Sequence, residues 1–331
     1  MRIGILISSA GSVAATHTTV HVACAALERG HGVRVLEPWD LEVDPRGRLR
    51  GRAHVFDAPV DDRDAFVAAL HGRTALRRHI EVDRLDVLLL RVNPLDTAVL
   101  AFARLAMEAG VRVLNSPDAV LHTSHKSWLA TLAGVPRPRT VVTRSRATVE
   151  LFASECEAGI VIKPARSCGG RGVGVVRGRR RAGFDAALEA AAKAGDGYLV
   201  VQEYLPAAVL GEKRLVWLAG TLVGGYLRER APGELRHNLK AGGQPLACEV
   251  DDADVAVAAS LGPHLARAGV WLAGIDVIGG LAVEVNTLNP GGVHWTEHFT
   301  GAPIARRVVE SLEAPGRTPL PDHLLTPVPN A

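Results

Sequence analysis

The chain has 331 residues, 47% of them hydrophobic, and a net charge of only +3. That length suffices for two or three structural units with real cores, and so mild a charge does not call for nucleic acid as a partner. The apolar run Ile3 to Ile7 is too short for a signal segment and no stretch approaches a membrane span, so a cytoplasmic protein without a membrane partner is expected.

From the N-terminus, strand and helix patterns alternate: Arg2-Ile7, a helix near Thr18-Arg29, Val33-Leu36, Asp86-Arg91, a helix near Thr97-Ala109 and Val111-Leu114. Such alternation predicts an α/β unit over 1–120, a parallel Rossmann-like sheet with helices on its faces. The segment Asp44 to Arg52 reads as a turn-rich excursion from it. Gly4 and Gly11 lack the G-x-G-x-x-G spacing, so a nicotinamide oxidoreductase has no fingerprint here, and no Walker A sequence occurs.

A second unit is expected over 121–201. Ser116 as N-cap and Pro117 at the first helical position open the helical stretch that carries Lys126. Lys163 ends the apolar run from Gly159 to Pro164, where a charge following a buried strand should point at something anionic. The glycine-rich segment Ser167 to Gly174 follows, and its Gly169, Gly170 and Gly172 would let backbone approach phosphates closely. An alanine-rich helix near Phe184-Ala194 completes this unit. The third, over 202–316, has strands around Leu215-Trp217 and Leu222-Leu227, a helix near Asp254-Ala268 and an apolar hairpin from Gly274 to Asn286. Residues 317–331 read as a Pro-rich tail.

In that hairpin Asp276 and the triplet Glu284-Val-Asn286 stand at opposite ends with no cation beside them in the sequence. Hard oxygen donors without a partner suggest Mg²⁺, which is held by one or two carboxylates plus substrate phosphates. A three-residue loop, Gly279 to Leu281, would set Asp276 across from Glu284 on one face, with Asn286 further along it. A two-residue Gly-Gly loop would put the two acids on opposite faces. Taken alone, the hairpin reads equally as two solvated acids on an edge. Lysine usage adds weight, since there are five lysines among 38 basic residues. Lys126, Lys163, Lys213 and Lys240 all fall in segments singled out on other grounds, and a compact ammonium is not interchangeable with a guanidinium at a phosphate.

Several separated motifs in one order, Gln202-Glu-Tyr-Leu-Pro206, Glu212-Lys-Arg214, Arg236-His-Asn-Leu-Lys-Ala-Gly-Gly243, Gly274-Ile-Asp-Val-Ile-Gly279 and Glu284-Val-Asn286, resemble the ATP-grasp superfamily, and within it most closely the bacterial glutathione synthetases. The resemblance runs to about residue 312. It implies a substrate domain followed by the two-subdomain ATP-grasp fold, with 121–201 as the lid. It implies that Lys126 and Lys163 contact ATP phosphates, that Gln202, Glu203, Tyr204 and Leu205 form the hinge against adenine, and that Glu212 holds the ribose. Asp276, Glu284 and Asn286 would hold two Mg²⁺ ions, and Arg214 would stabilise the transferring phosphoryl group. The expected activity is ATP-dependent ligation of a carboxylate to an amine through an acyl phosphate, with γ-glutamylcysteine and glycine as the first substrates to try and a homo-oligomer, dimer or tetramer, as the assembly. Arg214 and Arg228 are candidate donors for the tetrahedral oxyanion, and Arg236 to Gly243, with Asn238, would form a mobile cover. Alternatives are a related ligase joining other amino acids or a biosynthetic carboxylate and amine, and an ATP-binding homologue without ligase activity, as synapsins are.

The acceptor side departs from the family pattern. After Asn286 the family continues with a Thr-Ser-Pro-Thr type turn and an Arg, whereas this chain runs Thr287-Leu-Asn-Pro-Gly-Gly-Val-His-Trp-Thr-Glu-His298. Near the N-terminus His17-Thr18-Thr19 stands where the family has an acidic residue and serines. His17, Arg228, Asn289 and Trp295 are therefore expected to set substrate preference, with Thr18, Arg236 and Asn238 also at the substrate and the N–H groups of Gly291 and Gly292 suited to a carboxylate. The alternative is that Arg91, from the N-terminal sheet, supplies the missing charge and the substrates are those of an ordinary glutathione synthetase. Other features take the plainer reading. The basic run Arg177 to Arg181 has no aromatic interleaving and reads as a solvated connector rather than a nucleic-acid site. His294 and His298 are spaced i, i+4 but lack the companions of a zinc site. Cys24, Cys156, Cys168 and Cys248 are scattered as in a reduced protein; Cys168, in the glycine-rich loop, is either redox-sensitive or simply a small residue that fits.

Overall fold

The computed structural model describes residues 1–72, 76–94, 96–167, 169–177 and 183–314. Cys168, most of the basic run Arg177 to Arg181 and the Pro-rich tail lie outside the described residues. Three sheets follow one another along the chain.

The first comprises β1 (Arg2–Ile7), β2 (Gly32–Leu36), β3 (Leu41–Val43), β4 (Leu49–Phe56), β5 (Arg77–Glu81), β6 (Val87–Arg91) and β7 (Arg112–Leu114). Its strands run in the order β3-β4-β2-β1-β6-β7, with β5 also on β4. The β2-β1-β6-β7 core is parallel, as the alternation predicts. At one edge β3, β4 and β5 extend this parallel core with antiparallel strands. The segment from Asp44 to Arg52 is thus only partly a turn: the Asp44 carboxylate accepts from the Arg46 and Arg48 N–H groups, and β4 begins at Leu49. Gly51 belongs there because a Cβ would lie 2.6 Å from a Leu36 methyl.

Helices α1 (Thr18–Glu28), α2 (Arg63–His71) and α3 (Thr97–Glu108) cover this sheet, and α4 (Pro117–Thr123) and α5 (Ser127–Ala130) lead away from it. Ser116 caps α4 through the Ala119 N–H. Lys126 sits at the break between α4 and α5.

The second sheet contains β8 (Thr140–Thr143), β9 (Ile160–Pro164), β10 (Gly174–Val176) and β11 (Leu199–Glu203) in the order β10-β9-β11-β8, backed by α6 (Arg146–Ser154) and α7 (Phe184–Ala194). The third contains β12 (Glu212–Leu218), β13 (Thr221–Glu229), β14 (Gln244–Leu246), β15 (Leu272–Ile278) and β16 (Leu281–Asn286) in the order β14-β13-β12-β15-β16. Around it lie α8 (Asp252–Arg267), α9 (Val293–Thr300) and α10 (Ile304–Glu313).

One core joins the first and third sheets. Ile3, Ile5 and Leu27 pack in the same buried cluster as Val216, Leu272 and Val308, so the N-terminal sheet cannot rotate freely against the β12–β15 region. Asn115 fixes the junction: its Nδ2 donates to the Leu272 and Thr287 carbonyls, and its Oδ1 accepts from the Trp271 and Leu272 N–H groups, at 2.7–2.9 Å. Replacing it by Leu strands four buried backbone groups. Asn115→Leu should therefore destabilise the protein by about 3–5 kcal/mol, read from denaturant unfolding, and an unchanged midpoint would show the junction to be dispensable.

Candidate active site

A single cavity of about 640 Å³ opens between the three sheets. Every residue singled out above for ATP, metal or substrate lines it except Lys126 and Gly172. Gly172 has a packing reason instead: at φ +70°, a Cβ there would lie 2.6 Å from Ala194 and 2.9 Å from Pro164. Lys126 stands just behind the wall, where its Nζ donates to the Ser167 carbonyl at 2.9 Å and lies 3.8 Å from a Glu284 carboxylate oxygen.

The hairpin corrects the expected loop while keeping its consequence. Ile278 pairs with Leu281 across a two-residue turn, with Gly279 and Gly280 both at positive φ as a type I′ turn requires. Val277 pairs with Ala282, but Asp276 pairs with Glu284, so Val283 is an extra residue on β16. This bulge restores the register that a Gly-Gly turn alone would lose, and it brings Asp276, Glu284 and Asn286 to one face. The Val283 carbonyl faces the side chains of Lys163 and Gln202, each at 3.4 Å.

The absence of a neighbouring cation is also corrected, since tertiary structure supplies two. Arg214 on β12 pairs with both Asp276 oxygens (Nε–Oδ1 2.5 Å, Nη2–Oδ2 3.0 Å), and Arg228 on β13 reaches Oδ1 at 2.6 Å. Arg228 also pairs with Glu212. Gly274 makes room for Arg214, because a Cβ there would sit 3.0 Å from Nη1.

Burial alone would push the Asp276 carboxyl up, but Arg214 and Arg228 outweigh it and bring the pKa down to about 2. Burial likewise opposes the Arg228 charge, and Asp276 and Glu212 overcome it and hold the guanidinium protonated. For Glu212, burial wins over Arg228 and raises the carboxyl. Burial also lowers Lys163 against the pull of Glu284 and Glu212. Asp276 is thus buried and ion-paired, not a solvated acid on an edge.

Asp276, Glu284 and Asn286 suit a hard cation. Asp276 remains a carboxylate, Glu284 has among the described residues only the distant Lys126 as an ionic partner, and Asn286 spends its Nδ2 on Asp276 at 3.0 Å, leaving its amide oxygen to accept or coordinate. Among the described residues no group of three or more His, Cys, Asp or Glu could hold a metal, so an ion here needs the Asn286 amide and oxygens from a ligand.

The apolar end of the cavity is built from Val161, Val175, Leu205, Ile278 and Val283. Tyr204 packs there too, its hydroxyl accepting from Arg177 and its ring lying 4.2 Å under that guanidinium. Opposite, Arg91 is buried; its Nε donates to Thr19 Oγ1 at 3.1 Å and its Nη1 to the Pro290 carbonyl at 3.0 Å. It has no acidic partner among the described residues, and burial lowers its pKa to about 9, still a cation at neutral pH. Thr18 Oγ1 and Asn289 Oδ1 beside it are buried without a hydrogen bond. Gly292, at φ +127°, lets the start of α9 approach Val216 and Arg214 closely. His17 and Trp295 also line this end.

The two expected covers touch each other. A Cβ on Gly170 would lie 2.8 Å from Arg236 Cδ, and Arg236 itself is paired with Glu234. Within the second cover His237 is buried and its Nε2 donates to the Ala208 carbonyl at 2.8 Å, a contact that sequence spacing gave no sign of. Lys213 does not belong to the site. It pairs with Asp251 and Asp254 at 2.7 and 2.6 Å and so holds the capping box of α8, whereas Lys240 does line the cavity.

Comparison with known proteins places this architecture. The profile of the prokaryotic glutathione synthetase N-terminal domain matches residues 1–120, and that of the prokaryotic glutathione synthetase ATP-grasp domain matches 128–301. A glutathione synthetase of Synechococcus elongatus is 30% identical over 322 residues, covering 95% of this chain and 98% of the relative. One of Bordetella pertussis is 31% identical over 287 residues, covering 82% and 86%. Among solved structures, a D-cycloserine synthetase superposes with a TM-score of 0.64 at 18% identity over 94% of this chain and 99% of its own. The D-alanine-D-alanine ligase of Coxiella burnetii gives 0.62 at 12% identity, over 95% and 94%.

The fold is ATP-grasp, and the protein is an ATP-dependent ligase that forms C–N bonds. It belongs to the prokaryotic glutathione synthetase family. No described helix is long and apolar enough to cross a membrane.

Proposed function

We propose that this enzyme joins a carboxylate to an amine through an acyl phosphate, with residues 1–120 as substrate domain, 121–201 as lid and 202–316 carrying the metal site. The observation that carries this reading is one cavity holding opposed acids, Asp276 and Glu284, beside cations that outnumber the acids: Arg91, Lys163, Arg177, Arg214, Arg228, Arg230, Arg236 and Lys240 against Glu203, Glu212, Asp276 and Glu284. Such an excess favours a polyanion such as ATP.

Adenine fits the apolar end along Gln202 to Leu205, with Glu212 at the ribose and Lys126, Lys163, Gly169 and Gly170 around the phosphates. Asp276, Glu284 and Asn286 would hold two Mg²⁺ ions, which neutralise charge on the β- and γ-phosphates when bound. A carboxylate is inert to amines because its leaving group would be an oxide; phosphorylation gives it a good one. Arg214 supplies charge to the transferring group through Nη1, which among the described residues makes only a long 3.5 Å contact to the Gly291 carbonyl. Arg228, whose Nε is buried without a partner, assists the tetrahedral oxyanion. Arg91, with Thr18 and Asn289, binds a substrate carboxylate.

γ-Glutamylcysteine with glycine is the first pair to test, since the family's synthetases carry that activity in their name. The departures at His17, Asn289 and Trp295 favour a poor pair or one held through different contacts. An ADP-release assay over amino acids and dipeptides decides: turnover with some carboxylate–amine pair is expected, and ATP binding without turnover for every pair would favour the non-catalytic alternative. A homo-oligomer is part of the reading, supported by the exposed Val209 and Leu210, and sedimentation tests it. Free Cys24, Cys156 and Cys248 support a reducing, cytoplasmic setting.

Mg-ATP should slow amide exchange in both the glycine-rich loop and Arg236 to Gly243, because each must open to admit nucleotide. Equal exchange with and without nucleotide would contradict their role as covers.

A further inference from the structure

A chain of three side chains at the substrate end of the cavity is used by no step above. Glu297 on α9 lies 2.6 Å through Oε2 from Nδ1 of His21 on α1, and Nε2 of His21 lies 3.0 Å from Nδ1 of His294. His21 is 3% exposed, and His294 forms part of the cavity wall beside Trp295. The other Glu297 oxygen accepts from the Ala305 N–H at 2.7 Å, so the carboxylate is fixed at both ends.

Donor and acceptor chemistry orders this chain. A carboxylate only accepts, so the proton on His21 sits at Nδ1. With that single proton, His21 offers a lone pair at Nε2, which a protonated Nδ1 on His294 satisfies at 3.0 Å. His294 is left with a lone pair at Nε2, and that atom makes no hydrogen bond among the described residues. Burial above all, with the charge of Arg63, pulls the His294 pKa down to about 4 against the opposing Glu297. Burial would raise Glu297, but the His21 and Ala305 hydrogen bonds outweigh it and keep it ionised.

We propose that Nε2 of His294, oriented by His21 and Glu297, is a hydrogen-bond acceptor that selects a substrate bearing an ammonium, amide N–H or hydroxyl at this end of the pocket. A side chain that offers donors alone, such as arginine, would select a carboxylate instead, so an acceptor here has the opposite polarity. His294 is thus a specificity residue and His21 and Glu297 are positioning residues. The inference rests on the ligase reading for its substrate, but its first test does not.

Nitrogen-15 NMR of the histidine rings in the full chain reads the tautomers directly. Nδ1–H on both His21 and His294 is expected; Nε2–H on neutral His294 would overturn the proposal whatever the enzyme ligates. Kinetics with the best carboxylate–amine pair supply the second test. His294→Leu should raise KM by about ten- to a hundredfold, with kcat changing less, which is the loss of one hydrogen bond to a charged or strongly polar donor. His294→Gln, which keeps an acceptor near Nε2, should recover most of it, whereas His294→Leu with unchanged KM would sink the assignment. If no pair releases ADP, the ligase reading fails while the NMR result still decides the chain.

Discussion

Glu284→Gln is expected to reduce ligase turnover by roughly a hundredfold or more while leaving the fold intact. The substitution keeps volume and shape but removes the charge from an acid of the hairpin that, among the described residues, has no close arginine and only Lys126, at 3.8 Å, as an ionic partner. Stability should change by less than about 1 kcal/mol, because so distant and partly solvated a pair contributes little. Turnover should recover in part at high Mg²⁺, since a weakened ligand raises the metal concentration needed. Near-normal turnover at ordinary Mg²⁺ would remove Glu284 from the metal site.

Arg91→Met should move stability and binding in opposite directions. Arg91 is a buried cation held by one hydroxyl and one carbonyl with no anion among the described residues, so the free protein bears the cost of its desolvation. Methionine follows the same path without the charge, and the variant should gain on the order of 1–4 kcal/mol, visible as a higher melting temperature. The same change should raise KM for the carboxylate substrate by about ten- to a hundredfold, because a charge-assisted contact is lost. A lower melting temperature with unchanged KM would mean that Arg91 is a structural residue and the substrate carboxylate binds elsewhere.

The elements that position this site were legible because periodicity and punctuation agree. Helix Phe184–Ala194 ends where its pattern ends, and Ser116-Pro117 opens a helix as its cap chemistry requires. The hairpin was legible in outcome and not in path. Gly279 and Gly280 permit loops of either length, and a bulge at Val283 leaves no mark in composition, so only the demand that Asp276 meet Glu284 pointed to the right register. The ion pairs on Asp276 were invisible because Arg214 and Arg228 arrive from other strands, 62 and 48 positions away by number. His21 and Glu297 stand 276 positions apart, and nothing local to either residue signals the other. Lys213 misled for the converse reason, since its strand turns that side chain toward the start of α8.

Oxygen tracing tests the central claim most directly. With ¹⁸O placed in the carboxylate of γ-glutamylcysteine, or of whichever acid supports the fastest ADP release, an acyl phosphate requires that one labelled oxygen leave with inorganic phosphate for each amide bond formed. Mass spectrometry of the phosphate should find that label, and Glu284→Gln should abolish its appearance. Amide formation that leaves all of the label behind in the product and released water, with unlabelled phosphate, would contradict phosphoryl transfer to the carboxylate and with it the role assigned to the cavity.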